Sequence, residues 1–143
     1  MRGLSPQSRF KNIGKITTNF GDPTRQEANH WAVDIANDMG TPIPSVTDGV
    51  VSKADGGHVS KENNFGDTVE VKSPEGDTVQ YHHLQNINVR LGQQVKRGHQ
   101  IAEMSNTGAT YSKSGEGDGT HLDLRIVDAY GRYKDPTPYL RGF

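Results

Sequence analysis

The chain has 143 residues, enough for one domain with a hydrophobic core, and it has no cysteine, which excludes disulfides and cysteine-based zinc sites. The net charge is −1, so charge gives no argument for binding to nucleic acid or to an anionic membrane. No apolar run approaches the roughly 18 residues of a membrane span, and the N-terminus lacks the apolar core of a signal peptide. We therefore expect either export by another route or a domain cut from a longer chain.

Hydrophobic residues make up 31% of the chain and glycine contributes 17 residues, a composition typical of short strands joined by many loops. We expect a flexible lead-in over residues 1–14 and a single domain over residues 15–143. Alternating residues predict strands at 15–20, 30–36, 48–53, 68–71, 78–83 and 119–127, with a hairpin turn at 73–77. No segment has the periodicity of an amphipathic helix. The predicted fold class is all-β.

The other segments are predicted to be irregular. Residues 40–44 have turn chemistry, and their two prolines exclude a central strand. Residues 55–66 and 105–120 are glycine-containing polar loops, and residues 89–102 predict a tight, jelly-roll-like series of turns. Asp135 and Pro136 are expected to end the regular structure before a short tail.

The predicted strand at 119–127 carries an unusual polar face. Its leucines and Ile126 lie on one side, and His121, Asp123 and Arg125 lie on the other. Histidine nitrogen and aspartate oxygen are ordinary metal ligands. A half-buried antiparallel strand with its polar side in water shows the same alternation. This segment alone leaves both interpretations open.

The six histidines differ in their surroundings. His58 and His99 lie among polar turn residues and are expected to be solvent-exposed. His82 and His83 are neighbours on a strand and should point to opposite faces. His30 and Asp34 would be about 13 Å apart on a straight strand, so the chain must bend between them if both bind one ion.

Several motifs occur together in one order along the chain. They are His30-Trp31-Ala32-Val33-Asp34, Gly40-Thr41-Pro42-Ile43, Asp48-Gly49-Val50-Val51, Tyr81-His82-His83-Leu84, the series from Val89 to Ala102, Thr107-Gly108 and Asp135-Pro136. In these motifs the sequence resembles the lysostaphin-type (LytM-like) zinc endopeptidases, which cut peptidoglycan cross-links. The resemblance extends from Ile16 to Leu140, and it implies an antiparallel β-sheet groove with a jelly-roll-like fold.

The resemblance also implies a site. Zinc would be held by His30, Asp34 and a third ligand from the closing strand, where Asp123 stands in place of the family's histidine. His83 and His121 match the two catalytic histidines that do not bind the metal. The implied substrate is a peptide of peptidoglycan. The family's glycine is replaced by Ala32, and the loop between Gly108 and His121 is longer than in the family.

Two functions remain open at this point. One is an active zinc endopeptidase with Asp123 as an unusual ligand. The other is a degenerate, metal-free relative that binds the cell wall or regulates another wall hydrolase, with Arg125 paired to Asp123 in place of the ion. A biotinyl- or lipoyl-like carrier domain fails because no lysine stands at a hairpin tip.

The expected location is the cell envelope, the extracellular space or a virion. The Met1 start without a signal peptide fits a wall-opening domain of a phage tail assembly, or a domain excised from a larger chain. No nucleic-acid or membrane partner is expected.

Overall fold

The computed structural model describes residues 9–10, 13–23, 30–56, 65–108 and 119–143. These residues form a single antiparallel sheet system and one short 3-10 helix, Thr137–Leu140. The strands are β1 (Arg9–Phe10), β2 (Gly14–Thr18), β3 (Val33–Ala36), β4 (Pro42–Pro44), β5 (Gly49–Asp55), β6 (Asp67–Lys72), β7 (Thr78–Gln85), β8 (Gln94–Val95), β9 (Gln100–Met104), β10 (Leu122–Val127) and β11 (Tyr133–Lys134). The predicted all-β, antiparallel class is confirmed.

Strand β10 lies in the middle of the sheet. The sheet order is β1-β2-β3-β10-β7-β6-β5-β8, with β11 paired to β10 and with β9 paired to both β4 and β7. All of these pairs are antiparallel. Because β10 is hydrogen-bonded to β3 on one side and to β7 on the other, residues that are far apart in sequence meet across it.

Both faces of β10 are buried. Leu122, Leu124 and Ile126 are fully inaccessible and belong to the main hydrophobic core. On the opposite face Asp123 and Arg125 are only 4% and 6% exposed. The structure therefore contradicts the interpretation of this strand as half-buried with its polar side in water, and the polar face needs internal partners.

The predicted lead-in at 1–14 contributes to the sheet where it is described. Residues 9–10 pair with β2, and Ile13 is packed into the core with 1% exposure. Gly14, which begins β2, has a φ of 152°, and a Cβ there would meet the Ala36 carbonyl oxygen at 2.3 Å. Only glycine fits at this close approach of two strands.

Two proline-containing segments differ from the prediction. Residues 42–44 form the short strand β4 and not only a turn, which proline permits because β4 pairs with β9 alone and lies at an edge. The chain does not lose regular structure after Pro136, because one 3-10 turn follows and buries Leu140. Alternation could not predict either of these short elements.

The structure describes only part of the predicted exposed histidines and loops. His99 is exposed, as predicted, whereas His58 lies outside the described residues, as do residues 57–64 and 109–118 of the two predicted loops. No helix in the described ranges has the length and apolarity needed to cross a membrane.

Candidate metal centre and catalytic site

Three adjacent strands bring polar side chains into one row. Asp123 on β10 lies directly opposite Asp34 on β3 and directly opposite His82 on β7. Residues paired in this way have side chains on the same face with their Cβ atoms about 5 Å apart. The register of the sheet thus places two carboxylates and an imidazole side by side in a buried position.

His30 joins this row from outside the strand. Strand β3 begins only at Val33. The backbone of His30 is held by the preceding turn, because the Gly21 amide donates to the His30 carbonyl oxygen and the His30 amide donates to the Asp22 carbonyl oxygen. As a result His30 Nε2 lies 2.9 Å from Asp34 Oδ1. The bend that a shared ion requires is therefore present in the chain.

The arrangement fits a metal ion. Ligand atoms of His30, Asp34 and Asp123 all lie within 4.8 Å of one another. Oδ1 of Asp34 is buried and accepts no hydrogen bond from any described residue. A buried carboxylate oxygen without such a bond is costly unless a cation binds it. One imidazole with two carboxylates is a donor set that suits zinc and also harder divalent ions.

Asp123 differs from Asp34 because it already has a cation. Arg125 donates from Nε to Oδ1 at 2.9 Å and from Nη2 to Oδ2 at 3.1 Å, and both side chains are almost inaccessible. Burial of Asp123 favours its neutral form, but the charge that His82 carries once it is protonated in acid, together with the hydrogen bonds and charge of Arg125, outweighs burial. The pKa of Asp123 therefore lies well below its usual range.

The two predicted catalytic histidines lie beside this cluster. Their ring centroids are 4.8 Å apart, and His121 Nε2 is 3.7 Å from Asp34 Oδ1. Nδ1 of His83 is 2.7 Å from the Thr107 carbonyl oxygen, and Nδ1 of His121 is 2.7 Å from the Gly119 carbonyl oxygen. Because a carbonyl only accepts, each Nδ1 carries a hydrogen, which leaves Nε2 as the nitrogen that can present a lone pair.

Burial keeps His83 neutral. Loss of hydration, with a smaller contribution from the charge of His121, lowers the pKa of His83 to about 4. A ring that stays uncharged at neutral pH keeps its Nε2 lone pair as a hydrogen-bond acceptor.

Thr107 positions His83, a role that the sequence did not reveal. Besides the carbonyl contact, its hydroxyl donates to the Leu84 carbonyl oxygen at 2.9 Å and accepts from the Asp67 amide at 3.0 Å. Gly66, at φ 64°, packs so closely that a Cβ would lie 2.4 Å from the Thr107 backbone. His83 itself has a φ of 64°, so β7 does not alternate regularly there.

His82 is a second contributor that the sequence left unassigned. Its ring stacks on Phe65 at 4.3 Å, and its Nδ1 is 2.9 Å from Oγ1 of Thr68, which itself donates to the Gly66 carbonyl oxygen at 3.2 Å. Nδ1 of His82 must therefore be the donor. Burial lowers the pKa of His82 to about 3. Its buried Nε2 has no hydrogen bond with the described part of the chain.

A cleft of about 220 Å³ adjoins the Arg125 side of the cluster. Two of its walls are Phe65 and Tyr133, whose rings also lie 4.8 Å and 5.6 Å from the Arg125 guanidinium carbon. The complete lining is Lys53, Asp55, Phe65, Gly66, Thr68, Glu70, Gln80, His82 and Tyr133. The cleft is mixed in charge, and His82 is the residue of the buried polar row that lines it.

Comparison with known proteins places these residues in a family context. The sequence profile of Peptidase family M23 matches residues 28–136. The glycyl-glycine endopeptidase ALE-1 of Staphylococcus capitis is 31% identical over 119 residues, which cover 79% of this chain and 29% of that protein. The murein hydrolase activator NlpD of Salmonella dublin is 29% identical over 132 residues, which cover 92% of this chain and 31% of that protein.

The fold agrees with the same group. The catalytic domain of the antimicrobial peptidase lysostaphin from Staphylococcus simulans superposes with a TM-score of 0.73 at 25% identity, covering 93% of this chain and 96% of that one. In contrast, the chain spans about a third or less of the length of the curated relatives that it matches.

Proposed function

Because this chain belongs to peptidase family M23, we propose that it is a zinc-dependent endopeptidase that hydrolyses peptide cross-links of bacterial peptidoglycan. The observation that carries the proposal is the convergence of His30, Asp34 and Asp123 within 4.8 Å, beside two histidines whose Nε2 lone pairs are available. The reaction would take place in the cell envelope, outside the cell or at the wall-opening end of a virion.

His30, Asp34 and Asp123 would hold the zinc ion. When bound, zinc supplies a Lewis acid that polarises the scissile carbonyl and acidifies water. Three protein ligands leave a coordination position open for this chemistry.

His121 and His83 would handle the proton. The Nε2 lone pair of His121 accepts the proton of the attacking water, and the Asp34 carboxylate 3.7 Å away stabilises the imidazolium that forms. That imidazolium then donates the proton to the leaving amine. His83, whose ring centroid lies 4.8 Å from that of His121 and which stays neutral in the free enzyme, would orient the water. The peptide would lie in the adjoining cleft.

The second candidate is a metal-free protein that binds peptidoglycan or regulates another wall hydrolase. It is favoured by one observation, the paired Asp123 and Arg125, because a guanidinium that neutralises the third ligand removes part of the need for an ion. The similarity to a protein named as a murein hydrolase activator points the same way.

Digestion of purified cell walls by the zinc-supplemented chain tests the proposal. We expect new amino termini from the natural chain. Replacing either catalytic histidine, by His83→Ala or His121→Ala, should slow their release by about 100- to 10,000-fold while zinc content is retained. His99→Ala, at an exposed position, is the matched control and should keep full activity.

Release of no amino termini by the zinc-loaded natural chain would contradict the proposal and favour the second candidate. Equal rates in the natural chain and both catalytic variants would contradict the roles of the histidines.

A further inference from the structure

The contact between Arg125 and Asp123 uses both oxygens of a carboxylate that the proposed function assigns to the metal. The two N–H···O distances are 2.9 Å and 3.1 Å, and the side chains of Arg125 and Asp123 are 7% and 5% exposed. Such a fork fixes the plane of the carboxylate and neutralises its charge. An ion at this site has to share Asp123 with another cation.

Arg125 also contacts two aromatic rings. Its guanidinium carbon lies 4.8 Å from the Phe65 ring centroid and 5.6 Å from the Tyr133 ring centroid. Both contacts stabilise the charged guanidinium in this position. Because Arg125 stands two residues from Asp123 on the same central strand, the backbone brings the two side chains to the same face and keeps them together.

A guanidinium is an unusual neighbour for a metal ligand. The common outer partners of ligands are carboxylates, backbone carbonyls and water, which raise the basicity of the ligand. A fixed positive charge lowers the electron-donating power of the carboxylate and repels a divalent ion at the same time. Asp34, directly across the sheet, has no arginine contact of this kind among the described residues.

We infer that Arg125 competes with the metal ion for Asp123 and thereby sets the chain's affinity for divalent cations. The inference rests on the proposed function, because it assumes that Asp123 is a ligand. Arg125 is then a tuning residue beside the site and not a catalytic residue. Removing the charge of Arg125 frees Asp123 for the ion and strengthens metal binding. Removing a residue that supports a metal ligand in the usual way weakens metal binding instead.

Zinc titration of the full chain against a chelating indicator dye, at one pH, tests this inference. Arg125→Gln and Arg125→Met should bind zinc at least tenfold more tightly than the natural chain. Arg132→Gln is the matched control, because it removes one positive charge from the same β10–β11 hairpin at an exposed pair with Asp128. Its zinc affinity should equal that of the natural chain.

Arg125→Lys covers the case in which the neutral variants do not fold without metal. Lysine keeps the positive charge beside Asp123 but gives up the two-point contact, so a smaller increase in zinc affinity is expected. In addition, the melting temperature of Arg125→Gln should fall in chelator and should be raised by zinc more than that of the natural chain is.

The outcomes separate the two proposals. Unchanged or weaker zinc binding in the Arg125 variants, with zinc binding in the natural chain, overturns the inference and leaves the proposed function standing. Zinc binding only in the Arg125 variants supports the inference and contradicts the proposed function for the natural chain. No zinc binding in any variant overturns both.

Discussion

Strands β3 and β10 each bring one aspartate to the centre of the sheet, and the two aspartates have opposite surroundings. Asp34 and Asp123 are directly paired across the strands and are both largely buried. Oδ1 of Asp34 lies near the Nε2 atoms of two histidines and accepts no hydrogen bond from the described residues. Both oxygens of Asp123 accept from Arg125.

The difference shows that residue type and register do not decide what a buried carboxylate does. Its energetics depend on whether the chain supplies a counter-charge. A buried carboxylate that lacks one favours an external cation, whereas a carboxylate with a bidentate arginine is stable without an ion. Asp34 is thus the carboxylate that favours a bound metal ion, whereas Asp123 already has a counter-charge in Arg125.

The largest expected contrast comes from converting each aspartate to asparagine in chelator. Asp123→Asn should lower the free energy of unfolding by roughly 3–5 kcal/mol, because it leaves the Arg125 charge buried without a carboxylate. Asp34→Asn should change it by less than about 1 kcal/mol, because it leaves no arginine charge among the described residues buried without a carboxylate. Urea unfolding measures both values.

Equal losses of stability in the two variants would contradict the comparison, because the two carboxylates would then contribute alike to the metal-free fold.

A second effect is expected from pH, through the imidazoles beside the two aspartates. The folded-state pKa values of His82 and His83 are lowered from 6.5 to about 3 and about 4, mainly by burial. The folded protein therefore keeps both rings neutral, whereas the unfolded chain protonates them near pH 6.5. Their contribution to stability is complete above pH 6.5 and is lost as the pH falls towards 4 and 3.

Urea unfolding in chelator should show this loss as a slope that approaches about 2.7 kcal/mol per pH unit between pH 6 and 4, for two protons. His82→Phe should reduce the slope by about half, and the exposed His99→Ala should leave it unchanged. A slope that does not respond to His82→Phe would show that this ring is not buried as a neutral group.

The sequence predicted the fold class, and the residues that it offered as ligands and catalytic histidines lie close together in the fold. Alternation located the longer strands, and the ligand distance of zinc required the bend between His30 and Asp34 that the chain adopts. The spacing of two residues between Asp123 and Arg125 on one strand face indicated their contact. These features depend on local periodicity and bond lengths, which can be inferred from a single sequence.

Other features depend on the assembled sheet. His83 has a left-handed backbone that alternation does not predict. The contacts of Thr107 and the stacking of Phe65 on His82 join residues that are distant in sequence. Burial of the polar face of β10 likewise follows from its central place between β3 and β7. Periodicity places side chains on a face but does not show what covers that face.

The proposed metal centre is tested most directly by the zinc content of the natural chain after equilibrium dialysis against buffered free zinc, measured together with that of Asp34→Asn. We expect about one zinc ion per natural chain and a large loss of bound zinc in the variant, because Asp34, unlike Asp123, has no arginine contact among the described residues and its buried Oδ1 accepts no hydrogen bond from them. No bound zinc in the natural chain, or equal zinc in both proteins, would contradict the proposed metal centre.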